Sequence, residues 1–106
     1  MYLLVLCTCP DNSAAELIGR ALVEEKLAAC VNILPGVTSV YRWQGNVEFG
    51  AEVQLLIKTT SEKYPLLEQK VNSLHPYETP EIIALNIQQG DKHYLNWITE
   101  SLEENS

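Results

Sequence analysis

Val47-Glu48-Phe49-Gly50-Ala51-Glu52-Val53-Gln54-Leu55-Leu56-Ile57-Lys58 alternates apolar and polar positions along most of its length. A period of two sends successive side chains to opposite faces of a β-strand, one face buried and one exposed. Gln44-Gly45-Asn46, just before it, has the composition of a hairpin turn. The partner strand is the extended segment from Cys30 to Trp43, whose odd positions Val31, Ile33, Val37, Tyr41 and Trp43 are mostly apolar. Pro35-Gly36 interrupts it and predicts a bulge or bend, because proline cannot donate to a ladder. A long central hairpin results.

On its N-terminal side, Tyr2 to Cys9 is a continuous run of β-formers, as expected of a central strand covered on both faces. Pro10-Asp11-Asn12-Ser13 then breaks the strand. Ser13 and Glu16 have the form of a capping box, with Asp11 as a rival cap. Ala14, Leu17, Ile18, Ala21 and Leu22 follow at helical spacing, and Glu16 and Arg20 are placed for an i,i+4 pair. This helix is expected to end near Leu27 to Ala29.

Beyond the hairpin, Thr60 or Ser61 is the expected cap of a second helix, with Pro65 in its first turn and Tyr64, Leu67, Val71 and Leu74 as its inner stripe. A short strand from Ile82 to Ile87 follows. Gly90-Asp91 then introduces a last helix with Leu95, Ile98 and Leu102 facing inward, and Glu103 to Ser106 are expected to fray. The order is β-α-β-β-α-β plus a terminal helix. That is an α+β, ferredoxin-like arrangement with an antiparallel sheet, in a single domain over residues 1–106.

The hairpin is long for its body. A dozen residues at about 3.3 Å each extend roughly 40 Å. A compact domain of this size is about 34 Å across. The tip, from Tyr41 to Phe49, is therefore expected to overhang the core with Tyr41, Trp43, Val47 and Phe49 upon it. An isolated aromatic ribbon is marginal in water, and a closed homo-oligomer covers it.

The formal net charge is −7, with only seven Lys and Arg, so a sequence-independent grip on nucleic acid is not expected. No apolar run approaches the roughly 20 residues that span a bilayer. Met1-Tyr2-Leu3-Leu4-Val5-Leu6 lacks a basic lead-in and reads as a strand, so a cytoplasmic chain is expected. Three cysteines are an odd number and suit a reducing compartment better than a disulfide framework.

Chemistry-bearing side chains concentrate at two places. Cys7-Thr8-Cys9 puts two thiols on one face of the first strand, where they suit a soft metal or simple core packing. Cys30, at a strand start, reads as core. His75-Pro76-Tyr77-Glu78-Thr79-Pro80-Glu81 holds an imidazole, a phenol and carboxylates on a stiff connector framed by prolines. His75 follows a helix C-terminus, whereas His93 lies in a first turn and reads as a surface residue. Arg42 and Lys58 are the only cations of the hairpin. No nucleophile elbow, P-loop, dinucleotide fingerprint or metalloprotease motif occurs, and nothing orients a Cys7–His75 pair as a nucleophile and base, so no enzyme is expected.

Leu6-Cys7-Thr8-Cys9-Pro10-Asp11, Glu25-Lys26-Leu27-Ala28-Ala29-Cys30-Val31-Asn32, Pro35-Gly36, Leu56-Ile57-Lys58-Thr59-Thr60, the His75–Glu81 segment and Tyr94-Leu95-Asn96-Trp97-Ile98 together resemble the CutA family of divalent-cation tolerance proteins. The resemblance covers essentially the whole chain. It implies a ferredoxin-like fold, a cytoplasmic homotrimer built by intersubunit sheet pairing, and binding of copper or another divalent cation. By the same resemblance, Cys7 matches the cysteine of the family's Leu-Cys-Thr motif and His75 the histidine before Pro-Tyr, which makes them the candidate metal ligands. Some members carry a second histidine just before that one, where this chain has Leu74. The family's architecture is similar to that of the PII signalling proteins, which bind nucleotides between subunits. That likeness implies an alternative: a small-ligand sensor whose intersubunit cleft, lined by Trp43, Lys58, Tyr77 and Glu81, takes a small anionic ligand and signals to a partner protein.

Overall fold

Strand β1 (Tyr2–Cys9) lies inside a four-stranded antiparallel sheet of order β2-β3-β1-β4. A computed structural model describes residues 1–104. The remaining elements are helix α1 (Asn12–Glu24), strands β2 (Cys30–Trp43) and β3 (Asn46–Thr60), helix α2 (Tyr64–Leu74), strand β4 (Ile82–Asn86) and helix α3 (Lys92–Ser101). This is the expected α+β ferredoxin-like order with a terminal helix. The expected fraying of Glu103 to Ser106 falls partly on residues 105–106, which lie outside the described residues.

The core lies on one face of the sheet. Val5, Cys7 and Cys9 of β1 and Leu55 and Ile57 of β3 are sealed beneath Ile18 and Leu22 of α1 and Leu67 and Val71 of α2. A smaller cluster joins Ile98 and Leu102 of the α3 end to Ala29, with Tyr2 and Leu95 packed on it. Cover on both faces of β1 is not what the single chain has. Leu4 and Leu6 are half-buried, and the residues opposite them on β4, Leu85 and Ile83, are 47% and 50% exposed. The second face of the sheet is partly open because α3 covers only one end of it.

The hairpin matches its pattern closely. Gln44 (φ 48°) and Gly45 (φ 83°) both occupy the left-handed region, as a two-residue type I′ turn requires, and Trp43 pairs with Asn46 across it. The register of β2 against β3 shifts between Leu34 and Val37, where Gly36 has φ 78°. β1 ends opposite Val53, so the hairpin from residue 37 to 52 runs on as a two-stranded ribbon. The chain measures 47 × 27 × 22 Å, and Trp43, Val47 and Phe49 are 61%, 60% and 72% exposed. The overhang is real.

The helix ends and pairs depart from their local signals. Asp11, not Ser13, caps α1: its carboxylate accepts from the Ala14 N–H at 2.8 Å. Arg20 pairs with Glu24 on its C-terminal side, not with Glu16. The helix stops at Glu24, short of Leu27, because Lys26 turns left-handed (φ 57°). Leu27 N–H then reaches Leu22 O at 2.9 Å and Lys26 N–H reaches Val23 O at 3.1 Å, a Schellman closure made without glycine. α2 starts at Tyr64 with no side-chain cap, since Thr60 stays in β3 and Ser61 donates to Met1 O through both its N–H (2.9 Å) and its hydroxyl (3.0 Å).

Candidate metal centre

Strand β1 delivers two thiols to the covered face. Alternation turns Cys7 and Cys9 the same way, and both are fully buried. α2 delivers the third group at its C-terminal end. His75 N–H closes the last turn on Val71 O at 2.8 Å, and its backbone (φ −73°, ψ 135°) is extended, as the residue before Pro76 should be. That geometry folds the imidazole back toward the end of β1, leaving it 8% exposed.

There the ring meets the backbone on both sides. Tyr77 N–H donates to His75 Nδ1 at 3.1 Å, and Nε2 lies 2.7 Å from Thr8 O. A carbonyl accepts and an amide donates, so the hydrogen bonding assigns a neutral ring with its proton on Nε2. One ligand atom each from Cys7, Cys9 and His75 lie within 4.8 Å of one another. Two sulfurs and an imidazole nitrogen form a soft donor set, suited to copper or zinc far better than to magnesium or calcium. The residues present fit a thiophilic metal.

The two thiols act on each other. A hydrogen bond from Cys7 to Cys9 lowers the Cys9 thiol, against opposing burial and the Asp11 and Glu52 carboxylates. The same bond raises Cys7, helped by burial and then by the negative charges of Cys9 and Glu81. One thiolate shared across the pair is therefore easier to form than two.

Tyr77 extends the cluster to the surface. Its ring sits 4.9 Å from that of His75, and its hydroxyl donates to Glu52 Oε2 at 2.7 Å. Burial, followed by the Glu52 carboxylate, pushes the phenol up to about 12. The proline-framed segment is thus tied to β3 as well as to β1. Nothing in the sequence pattern signals the Glu52–Tyr77 bond, because it depends on how far the segment wraps around the sheet.

The other candidate residues lie elsewhere. Lys58 is half-buried on the open sheet face, opposite Leu4 and Cys30, and donates to the Asn32 side chain. Trp43 sits at the hairpin tip, about 40 Å along β3 from Lys58 at 3.3 Å per residue. Glu81 is exposed just before β4. One chain therefore brings Cys7, Cys9 and His75 together, whereas Trp43, Lys58, Tyr77 and Glu81 do not converge within it. His93 is exposed, as expected.

These features define an α+β protein of ferredoxin-like topology with a soft-ligand cluster at the end of its central strand. The chain belongs to the CutA1 divalent ion tolerance protein family, whose model matches residues 3–101. The divalent-cation tolerance protein CutA of Thermus thermophilus is 54% identical over 97 residues, which span 92% of this chain and 94% of that one. A solved structure of the divalent cation tolerance protein from Thermus thermophilus superposes with a TM-score of 0.94 at 51% identity, over 97% of this chain and 100% of that chain. Protein CutA of Mus musculus is 48% identical over 96 residues, which are 91% of this chain and 54% of the mouse protein. A structure described as the periplasmic divalent cation tolerance protein CutA from Archaeoglobus fulgidus matches with a TM-score of 0.94 at 41% identity, over 97% of this chain and 100% of that chain. The family takes its name from tolerance of divalent ions, not from a reaction. Among the described residues, no helix is long and apolar enough to cross a membrane.

Proposed function

We propose that this chain is a homotrimeric divalent-cation tolerance protein of the cytoplasm that binds copper or another divalent cation through Cys7 and His75. The observation that carries this reading is the meeting of those two side chains, from opposite halves of the sequence, in one buried cluster of ligand atoms. Family membership supports the link to metal tolerance. The open sheet face and the exposed aromatic tip support a homo-oligomer, since each is an apolar surface that a neighbouring subunit would cover, and the number three rests on the family resemblance.

A second reading is a sensor of a small anionic ligand, with an intersubunit cleft lined by Trp43, Lys58, Tyr77 and Glu81 and a partner protein as its target. Lys58 favours it: the ammonium is half-buried on an apolar sheet face, and its partner there is the Asn32 amide oxygen.

Calorimetric titration with copper, zinc and nucleotides separates the two readings. Copper affinity is expected to fall by about 100-fold in Cys7→Ala and in His75→Ala, at least the loss typical of disturbing a metal site. Unchanged affinity in His75→Ala removes that residue from the site. Nucleotide binding without metal binding favours the sensor.

A further inference from the structure

We infer that Cys9 completes, with Cys7 and His75, a buried site of two thiolates and one imidazole selective for a soft, low-coordinate d10 cation such as copper(I). This rests on the reading of Cys7 and His75 as metal ligands, and it adds a third ligand and the class of ion.

Size comes first. A three-coordinate metal with bonds of about 2.3 Å to sulfur and 2.0 Å to nitrogen places its ligand atoms roughly 3.7 to 4.0 Å apart. The three ligand atoms here lie within 4.8 Å of one another, so closure requires only small side-chain movement. Strand alternation already aims both sulfurs the same way.

The surroundings exclude hard ions. Magnesium and calcium need six or more oxygens, with water among them. All three ligand residues are buried, and the carboxylates around them are largely committed. Among the described residues whose carboxylates act on the thiols, Asp11 caps α1, Glu52 accepts from Tyr77, and Glu81 is the third. No octahedral oxygen shell forms there.

The imidazole ranks behind the sulfurs. Its two nitrogens are engaged with Thr8 O and Tyr77 N–H, and it joins a metal only when one of those bonds opens. The two sulfurs lose no backbone partner on binding. Both thiol protons leave to solvent as two sulfur–metal bonds form, so the loaded centre carries one net negative charge with copper(I) and none with a divalent d10 ion. Cys9 is therefore expected to matter at least as much as His75.

The test is anaerobic competition for copper(I) against a chromophoric chelator, using the full chain as wild type, Cys9→Val, Cys9→Ser, Cys7→Val and His75→Ala. Valine keeps the apolar packing of Cys9 and removes the ligand, and circular dichroism melting of each variant confirms folding. One copper(I) per chain is expected for wild type, with affinity down by about 100-fold in both Cys9 variants and the near-ultraviolet sulfur-to-copper absorption reduced. Cys9 variants within about threefold of wild type, alongside a large loss in Cys7→Val or His75→Ala, overturn the three-ligand site while sparing the parent reading. Equal affinity in all five proteins, or no binding by wild type, overturns both.

Discussion

Replacing Trp43 and Phe49 together by aspartate is expected to dissociate the proposed trimer into monomers at micromolar concentration. The two rings stand on the ribbon that extends past the end of β1, 61% and 72% exposed in the single chain. Burying a large apolar side chain contributes about 1.5 to 3 kcal/mol, and each substitution also sets an unpaired carboxylate in an apolar contact. Across three equivalent interfaces the losses multiply, and net affinity falls by several orders of magnitude. The fold of each chain is spared directly, because neither ring touches the core cluster beneath the helices. Sedimentation velocity provides the measurement. Wild type is expected near the mass of three chains and the double variant near one. A wild-type monomer, or a variant that keeps the wild-type mass, contradicts the role given to the ribbon.

Leu55→Ala is expected to be the most damaging single truncation near the candidate metal centre. Leu55 is fully buried and lies directly opposite Cys7 in the β1–β3 register. Removing its outer carbons costs the transfer energy of a buried leucine plus the cavity left behind, about 2 to 5 kcal/mol. A domain of this size has only about 5 to 15 kcal/mol in total, so the loss is a large share of its stability. Denaturant unfolding at fixed protomer concentration should show a lower midpoint at an unchanged slope. The cavity also frees the Cys7 sulfur from its packing, so copper affinity is expected to fall in the same variant. A loss below about 1 kcal/mol would mean that the layer beneath Cys7 is loosely packed.

Local patterns made much of this architecture legible. The alternation from Val47 to Lys58, the Gln44-Gly45 turn and the break at Pro35-Gly36 each report a backbone requirement that a few adjacent residues satisfy, and each stands where expected. The extended backbone of His75 followed from Pro76 in the same way. The ends of the helices were less legible. Lys26 takes a left-handed conformation that glycine usually signals, and Ser61 is drawn to the Met1 carbonyl before it can cap α2. The first is closed by local backbone bonds that no glycine announces, and the second depends on a tertiary contact that outweighs local preference.

The candidate metal centre divides along the same line. Same-face thiols follow from strand alternation, whereas the choice of Cys7 and His75 as candidate ligands came from the family resemblance and not from spacing. The approach of His75 to the thiols, its two backbone hydrogen bonds and the anchoring of Tyr77 by Glu52 arise only when α2 is laid against the sheet. In the proposed three-ligand site Cys9 supplies the further ligand, so the absence of a histidine at Leu74 loses weight.

X-ray absorption at the copper edge of the loaded full chain reads the ligand set directly. Binding through Cys7 and His75 predicts a sulfur shell at about 2.3 Å together with nitrogen at about 2.0 Å and the multiple scattering of an imidazole ring. A shell of light atoms alone, with no sulfur, would place the metal away from the thiols and contradict a role for the buried cluster.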